Sequence, residues 1–116
     1  MVATSAVVVR AASDVWGVDA LAKMRSRTHH GARQTIVWLL RSSPQRPSYP
    51  ELGRLLGRDH STVISAERSA FIRLRTEPEF AVMLERVRDR ALELGATPAD
   101  LDRTVGDIHE LGRDRY

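Results

Sequence analysis

The sequence predicts an all-α protein, a compact multi-helix domain, on three observations. Every segment with a clear hydrophobic period repeats at helical spacing, and no stretch alternates in the manner of a strand. Ser, Thr, Asp and Gly stand where helices of that period would begin and end. A chain of 116 residues with 42% apolar side chains and no cysteine can bury enough surface to fold without disulfides or metal.

The elements follow in chain order. Val7, Val8, Ala11 and Val15 share one helical stripe, which Gly17 interrupts, and Val18 to Ala22 reads as a short second helix. Arg25 to Gly31 has no large apolar side chain and reads as a basic loop. Ala32 to Arg41 carries Ile36, Val37, Leu39 and Leu40, which suits a buried helix, and Ser42 to Pro50 holds three prolines and reads as a loop. Ser48 and Glu51 have capping-box spacing, so a helix starts there and runs to Leu56, ended by Gly57. Asp59 is the natural N-cap of the next helix, which reaches about Arg75 with Val63, Ala66, Ala70, Phe71 and Leu74 inside. Thr76, Pro78 and Glu79 open another through Leu94, with Phe80, Met83, Leu84, Val87 and Ala91 inside; Thr97 to Asp100 starts a last, weaker one. The packed domain is therefore placed at residues 1–94, and residues 95–116 are an acidic, helical tail.

Charge divides the chain at an earlier point. Residues 1–76 hold 12 basic and 5 acidic side chains, while residues 77–116 hold 6 basic and 10 acidic. A basic body with an acidic tail points to a polyanion-binding surface in the first part. The apolar run Ala6 to Val9 is far too short to span a membrane, and no basic segment precedes it as in a signal peptide. A cytoplasmic, nucleoid-associated protein without membrane contact is expected.

A short helix, a glycine turn and a longer helix make a helix-turn-helix, whose second helix presents its first turn to the major groove. Here that turn is Asp59, His60, Ser61 and Thr62. Asp accepts from cytosine N4, Ser and Thr bond bases or touch the thymine methyl, and His donates to an acceptor. Arg58 stands just before the helix, placed to meet a phosphate, and Ser65 follows one turn later on the backbone-contacting side.

These residues resemble the C-terminal DNA-binding domain of the bacterial chromosomal replication initiator DnaA. The likeness is strongest at Tyr49-Pro50-Glu51-Leu52-Gly53 and at Leu56-Gly57-Arg58-Asp59-His60-Ser61-Thr62-Val63. It extends upstream to Asp19-Ala20-Leu21, Arg25-Ser26-Arg27, Arg33-Gln34 and Leu39-Leu40-Arg41, and covers roughly residues 5–92. It implies a Trp-repressor-like helical fold and sequence-specific binding of double-stranded DNA at A·T-containing sites like the DnaA box, in replication initiation or its regulation. By the same likeness Asp59, His60 and Ser61 read bases, Thr62 touches base or backbone, and Arg25 enters the adjacent minor groove. Arg27, Arg33 and Gln34 match positions near phosphates, and Arg41 matches a basic position that faces the DNA. Three departures stand out: one residue is missing before Arg58, the loop from Ser42 to Tyr49 is one longer, and Gly31-Ala32 replaces an Arg-Pro pair. No Gly-x-x-x-x-Gly-Lys-Ser/Thr run is present, so the sequence carries no ATPase module of that kind.

Other functions find less support. His29-His30 lacks a second ligand cluster, so metal is not expected and the pair reads as solvated or phosphate-facing. No nucleophile, base and orienting group come together, and neither enzyme activity nor a cofactor is expected. Leu101, Val105, Ile108 and Leu111 near helical spacing read as a stripe that packs on its own domain, with a partner or homodimer contact through the tail as an alternative. Another is a transcriptional regulator of a mobile element that uses the same motif on an unrelated site.

Overall fold

The computed structural model describes residues 4–101. Six helices and no strand occur among them: α1 (Thr4–Trp16), α2 (Arg27–Ser42), α3 (Tyr49–Leu56), α4 (His60–Thr76), α5 (Pro78–Glu93) and α6 (Pro98–Leu101). α2 is the central element. It packs on α1, α4, α5 and α6, while α1 lies along α5 and α3 leans on α4. Ile36, Val37 and Leu40 on α2 meet Val8 of α1, Leu52 of α3, Val63 of α4 and Val87 of α5 in one core. Phe80 is buried at its margin with its ring 6.4 Å from Trp16.

The caps read from the sequence set the helix-turn-helix. The Ser48 hydroxyl accepts from the Glu51 amide at 3.2 Å and the Glu51 carboxylate accepts from the Ser48 amide at 3.1 Å, both halves of the capping box. Gly57 closes α3 in the left-handed region (φ 64°, ψ 39°), where a Cβ is penalised.

Two segments differ from expectation. Val18 to Ala22 is a turn rather than a helix. The Val18 amide reaches back to the Ser13 carbonyl (3.2 Å), the Ser13 hydroxyl accepts from Ala20 (3.1 Å), and the Asp19 carboxylate accepts from Leu21 (3.0 Å). Side chains that capture amides locally outcompete a five-residue helix, which has too few bonds to offset nucleation. The basic loop also ends earlier than the sequence suggested. α2 begins at Arg27, because Ser26 is its N-cap and accepts from the His29 amide at 3.1 Å. The first turns of α2 bury little apolar side chain because the Trp16 ring fills the space where one would go. A Cβ on Gly31 would come within 2.4 Å of the indole. The indole N–H donates to the Thr35 hydroxyl at 3.2 Å.

The packed unit continues past residue 94. Ala96 and Leu101 are buried in the core, Leu101 at 2% exposure, and Thr97 and Asp100 cap α6 reciprocally. Val105, Ile108 and Leu111 of the expected tail stripe lie outside the described residues.

Candidate nucleic-acid interface

The corner between α3 and α4 is tight for a specific reason. The Gly53 carbonyl accepts from the Arg58 amide at 2.9 Å, and a Cβ on Gly53 would stand 2.6 Å from the Arg58 carbonyl. Only a hydrogen at position 53 allows the turn to fold back onto α3 and aim α4 outward. Asp59, His60, Ser61 and Thr62 are then all exposed, as is Ser65 one turn later, while Val63 between them is buried. Asp59 occupies the N-cap position, but its side chain makes no capping bond. Its carboxylate is exposed to solvent, and the first amides of α4 add the positive end of the helix dipole beside it.

Beside this turn lies a concave surface of about 710 Å³ between α2 and α4. Lys23, Arg25 and His30 line one wall, and Thr62, Ser65 and Ser69 of α4 line the other. A shallower hollow of about 660 Å³ lies across Arg54, Asp59, His60 and Thr62. Arg25 lines both hollows and is exposed, so it stands on the ridge next to the first turn of α4. Arg27, also exposed, opens α2, whose first turn has no acidic residue. Partial desolvation, then the charges of Arg33, Arg25, Arg58 and His29, hold the His30 imidazole below the ordinary histidine pKa of 6.5. His29 is buried instead, its ring nitrogen 2.6 Å from the Ser26 hydroxyl. No group of three His, Cys, Asp or Glu side chains suited to a metal occurs among the described residues.

Three arginines expected at phosphates are engaged inside the protein. Arg33 is 6% exposed, and its guanidinium donates to the carbonyls of Ala20, Ala22 and Met24 at 3.3, 3.3 and 2.7 Å. Arg41 is buried, with Nε 3.4 Å from the Glu67 carboxylate, Nη1 3.0 Å from the Pro47 carbonyl, and the guanidinium over the Tyr49 ring. Arg58 is half-buried and donates to Leu56, Gly57 and, across the corner, Ala22. For Arg33 and Arg58 the reason is the same: turns without a backbone ladder leave carbonyls unpaired, and a guanidinium satisfies several at once. Arg41 instead answers the buried Glu67 carboxylate. Gln34 lines the cleft, but its side-chain oxygen accepts from Arg73 at 2.7 Å. Sequence reasoning passed over Lys23 and Arg54. Lys23 lies between the segment that reads as a short helix and the basic loop, and carries no pattern of its own. Arg54 is on the exposed face of α3, and its alternation with the buried Leu52, Gly53 and Leu56 was the available signal.

No helix among the described residues is long and apolar enough to cross a membrane. No solved structure matches the chain. The chromosomal replication initiator protein DnaA of Pelobacter propionicus (strain DSM 2379 / NBRC 103807 / OttBd1) is 32% identical over 71 residues. That alignment covers 60% of this chain and 16% of the relative, so the chain spans a small part of the curated protein it resembles. The family described as bacterial DnaA protein helix-turn-helix matches residues 7–69, from the core stripe of α1 through the first half of α4. With that match over more than half its length, the chain belongs to the bacterial DnaA helix-turn-helix family.

Proposed function

We propose that the chain binds double-stranded DNA in a sequence-specific manner, at DnaA-box-like sites, and acts in replication initiation or its regulation. The first turn of α4 enters the major groove, where Asp59, His60, Ser61 and Thr62 meet base edges. Arg25 enters the neighbouring minor groove, which A·T pairs narrow and make more negative. Arg27, Arg54, Lys23, Ser65 and Gln34 are the groups in reach of phosphates, and they orient the module without reading sequence. The observation that carries this reading is the single exposed surface shared by the uncapped Asp59, the first turn of α4 and the ridge arginine Arg25. Fluorescence anisotropy with a duplex holding a DnaA box, set against a scrambled duplex over a salt series, tests it. His60→Ala is expected to lose about 1–3 kcal/mol on the box and little on random DNA. Equal binding to box and scrambled duplex, or tighter binding to an unrelated palindrome, defeats the proposal.

A further inference from the structure

The ten residues from Gly17 to Ser26 contain no helix, yet they must deliver Arg25 to one place. Their carbonyls at Ala20, Ala22 and Met24 receive no backbone amide. Arg33, rising from α2, gathers all three on one guanidinium. Arg58, from the corner of the helix-turn-helix, adds a bond to the same Ala22 carbonyl at 3.1 Å. The two cations therefore converge on one oxygen from two elements, three residues before Arg25. Neither meets a carboxylate among the described ion pairs. Burying a cation beside a second cation is costly unless fixed dipoles compensate it. Here only carbonyl dipoles do, so the geometry of the turn and the retention of both charges are tied together.

We propose that Arg33 and Arg58 are positioning residues: they lock the 20–24 turn to α2 and to the α3–α4 corner, and so set the separation between Arg25 and the first turn of α4. Through that lock one rigid body carries both the minor-groove and the major-groove contacts. The spacing between the two contacts on DNA is then fixed by the protein rather than found during binding, which lowers the ordering cost of association. This rests on the minor-groove role of Arg25 given above. It differs from a phosphate-contact role for Arg33 in a measurable way, since the side chain needs its fork and not merely its charge. Lys has the charge and three donors, but on one nitrogen, whereas Arg33 uses Nη1 for Ala20 and Ala22 and Nη2 for Met24.

The experiment uses two duplexes that differ only in A·T or G·C pairs at the minor-groove end of the site. Wild type, Arg25→Ala, Arg33→Lys and the double variant are titrated on both, with amide hydrogen exchange of the free proteins alongside. The A·T preference of Arg33→Lys is expected to fall about fivefold or more, and the double variant to match Arg25→Ala alone, as coupled residues do. Exchange is expected to quicken over residues 18–25 and stay unchanged in α4. Near-normal A·T preference in Arg33→Lys overturns the proposal. So does an equal loss on both duplexes in Arg33→Met with a salt slope lower by about one, the mark of a phosphate contact. If Arg33→Lys does not fold, Arg58→Lys carries the test, with a smaller fall and the same non-additivity. Should wild type show no A·T preference while exchange quickens as stated, the turn is locked as described but the minor-groove reading fails; unchanged exchange sinks the lock itself.

Discussion

The Tyr49 hydroxyl donates a 2.6 Å hydrogen bond to Glu67, a carboxylate only 1% exposed. That bond joins the first residue of α3 to the middle of α4, and Arg41 of α2 closes the set against the same carboxylate. Burial first, then the hydrogen bond and charge of Glu67, push the Tyr49 phenol above its ordinary pKa. Three helices are thus pinned at one buried charge.

The first prediction follows from this set. Arg41→Met removes the partner of a buried charge and is expected to cost about 3–5 kcal/mol in urea unfolding. The salt slope of DNA binding, measured where the variant is still folded, is expected to stay at the wild-type value. A slope reduced by about one with little loss of stability would return Arg41 to the phosphates.

The corner glycines offer a contrasting pair. Gly53→Ala forces a Cβ into the Arg58 carbonyl and is expected to destabilise by about 1–3 kcal/mol. Gly57 has nothing within 4 Å of its Cβ position, and only its φ of 64° restricts it. Gly57→Asn is therefore expected to be tolerated, while Gly57→Val is not, because a branched side chain is strongly strained there. Thermal melts of the three variants check the order; a harmless Gly53→Ala would contradict the account of the corner.

Binding is expected to take up a proton at His30. In the free protein the imidazole is held below 6.5 and is neutral at pH 7. Phosphates entering the cleft offset the charges of Arg25, Arg33 and Arg58, which raises that pKa. Between the free and bound values the complex holds the extra proton, so affinity rises as pH falls through that window and levels off below the free value. Folding has the opposite sign: the unfolded chain, with histidine near 6.5, takes the proton first, so this group's contribution to stability is lost as pH falls from 6.5 to the lower value of the folded protein. Anisotropy between pH 7.5 and 5.5 is expected to show a steeper gain for wild type than for His30→Gln. Parallel curves would remove His30 from the interface.

Truncation separates the packed part of the C-terminal segment from the rest. Leu101 is 2% exposed, so Leu101→Ala is expected to cost about 2–5 kcal/mol. A chain ending at residue 94 loses Ala96 and Leu101 together and is expected to melt well below one ending at residue 101. If both melt alike by circular dichroism, α6 contributes nothing to the core.

What the sequence made legible was whatever local chemistry decides. The capping box at Ser48 and Glu51, the left-handed Gly57 and the stripe in α1 depend on near neighbours, and each was readable. Arg33 and Arg41 were not, because an arginine's sequence context does not reveal whether unpaired carbonyls lie within reach. Glu67 was hidden for a related reason: its burial depends on Tyr49 and Arg41, 18 and 26 residues away. The start of α2 was masked because the apolar group covering it, Trp16, belongs to another helix. The helical stripe in the tail fitted packing on its own domain or on a partner, and Leu101, its first member, is buried in the core.

The division of labour along α4 bears on how such a module changes its target. Val63 and Ala70 hold the helix in the core, whereas Asp59, His60, Ser61, Thr62 and Ser65 are exposed. Surface positions without packing duties tolerate substitution within about 0.5 kcal/mol of stability. The four positions proposed to read bases, Asp59 to Thr62, can therefore be substituted one at a time without passing through an unfolded intermediate. On that proposal, libraries restricted to those four positions are a practical route to modules that recognise new duplexes, with Arg33 and Arg58 left in place.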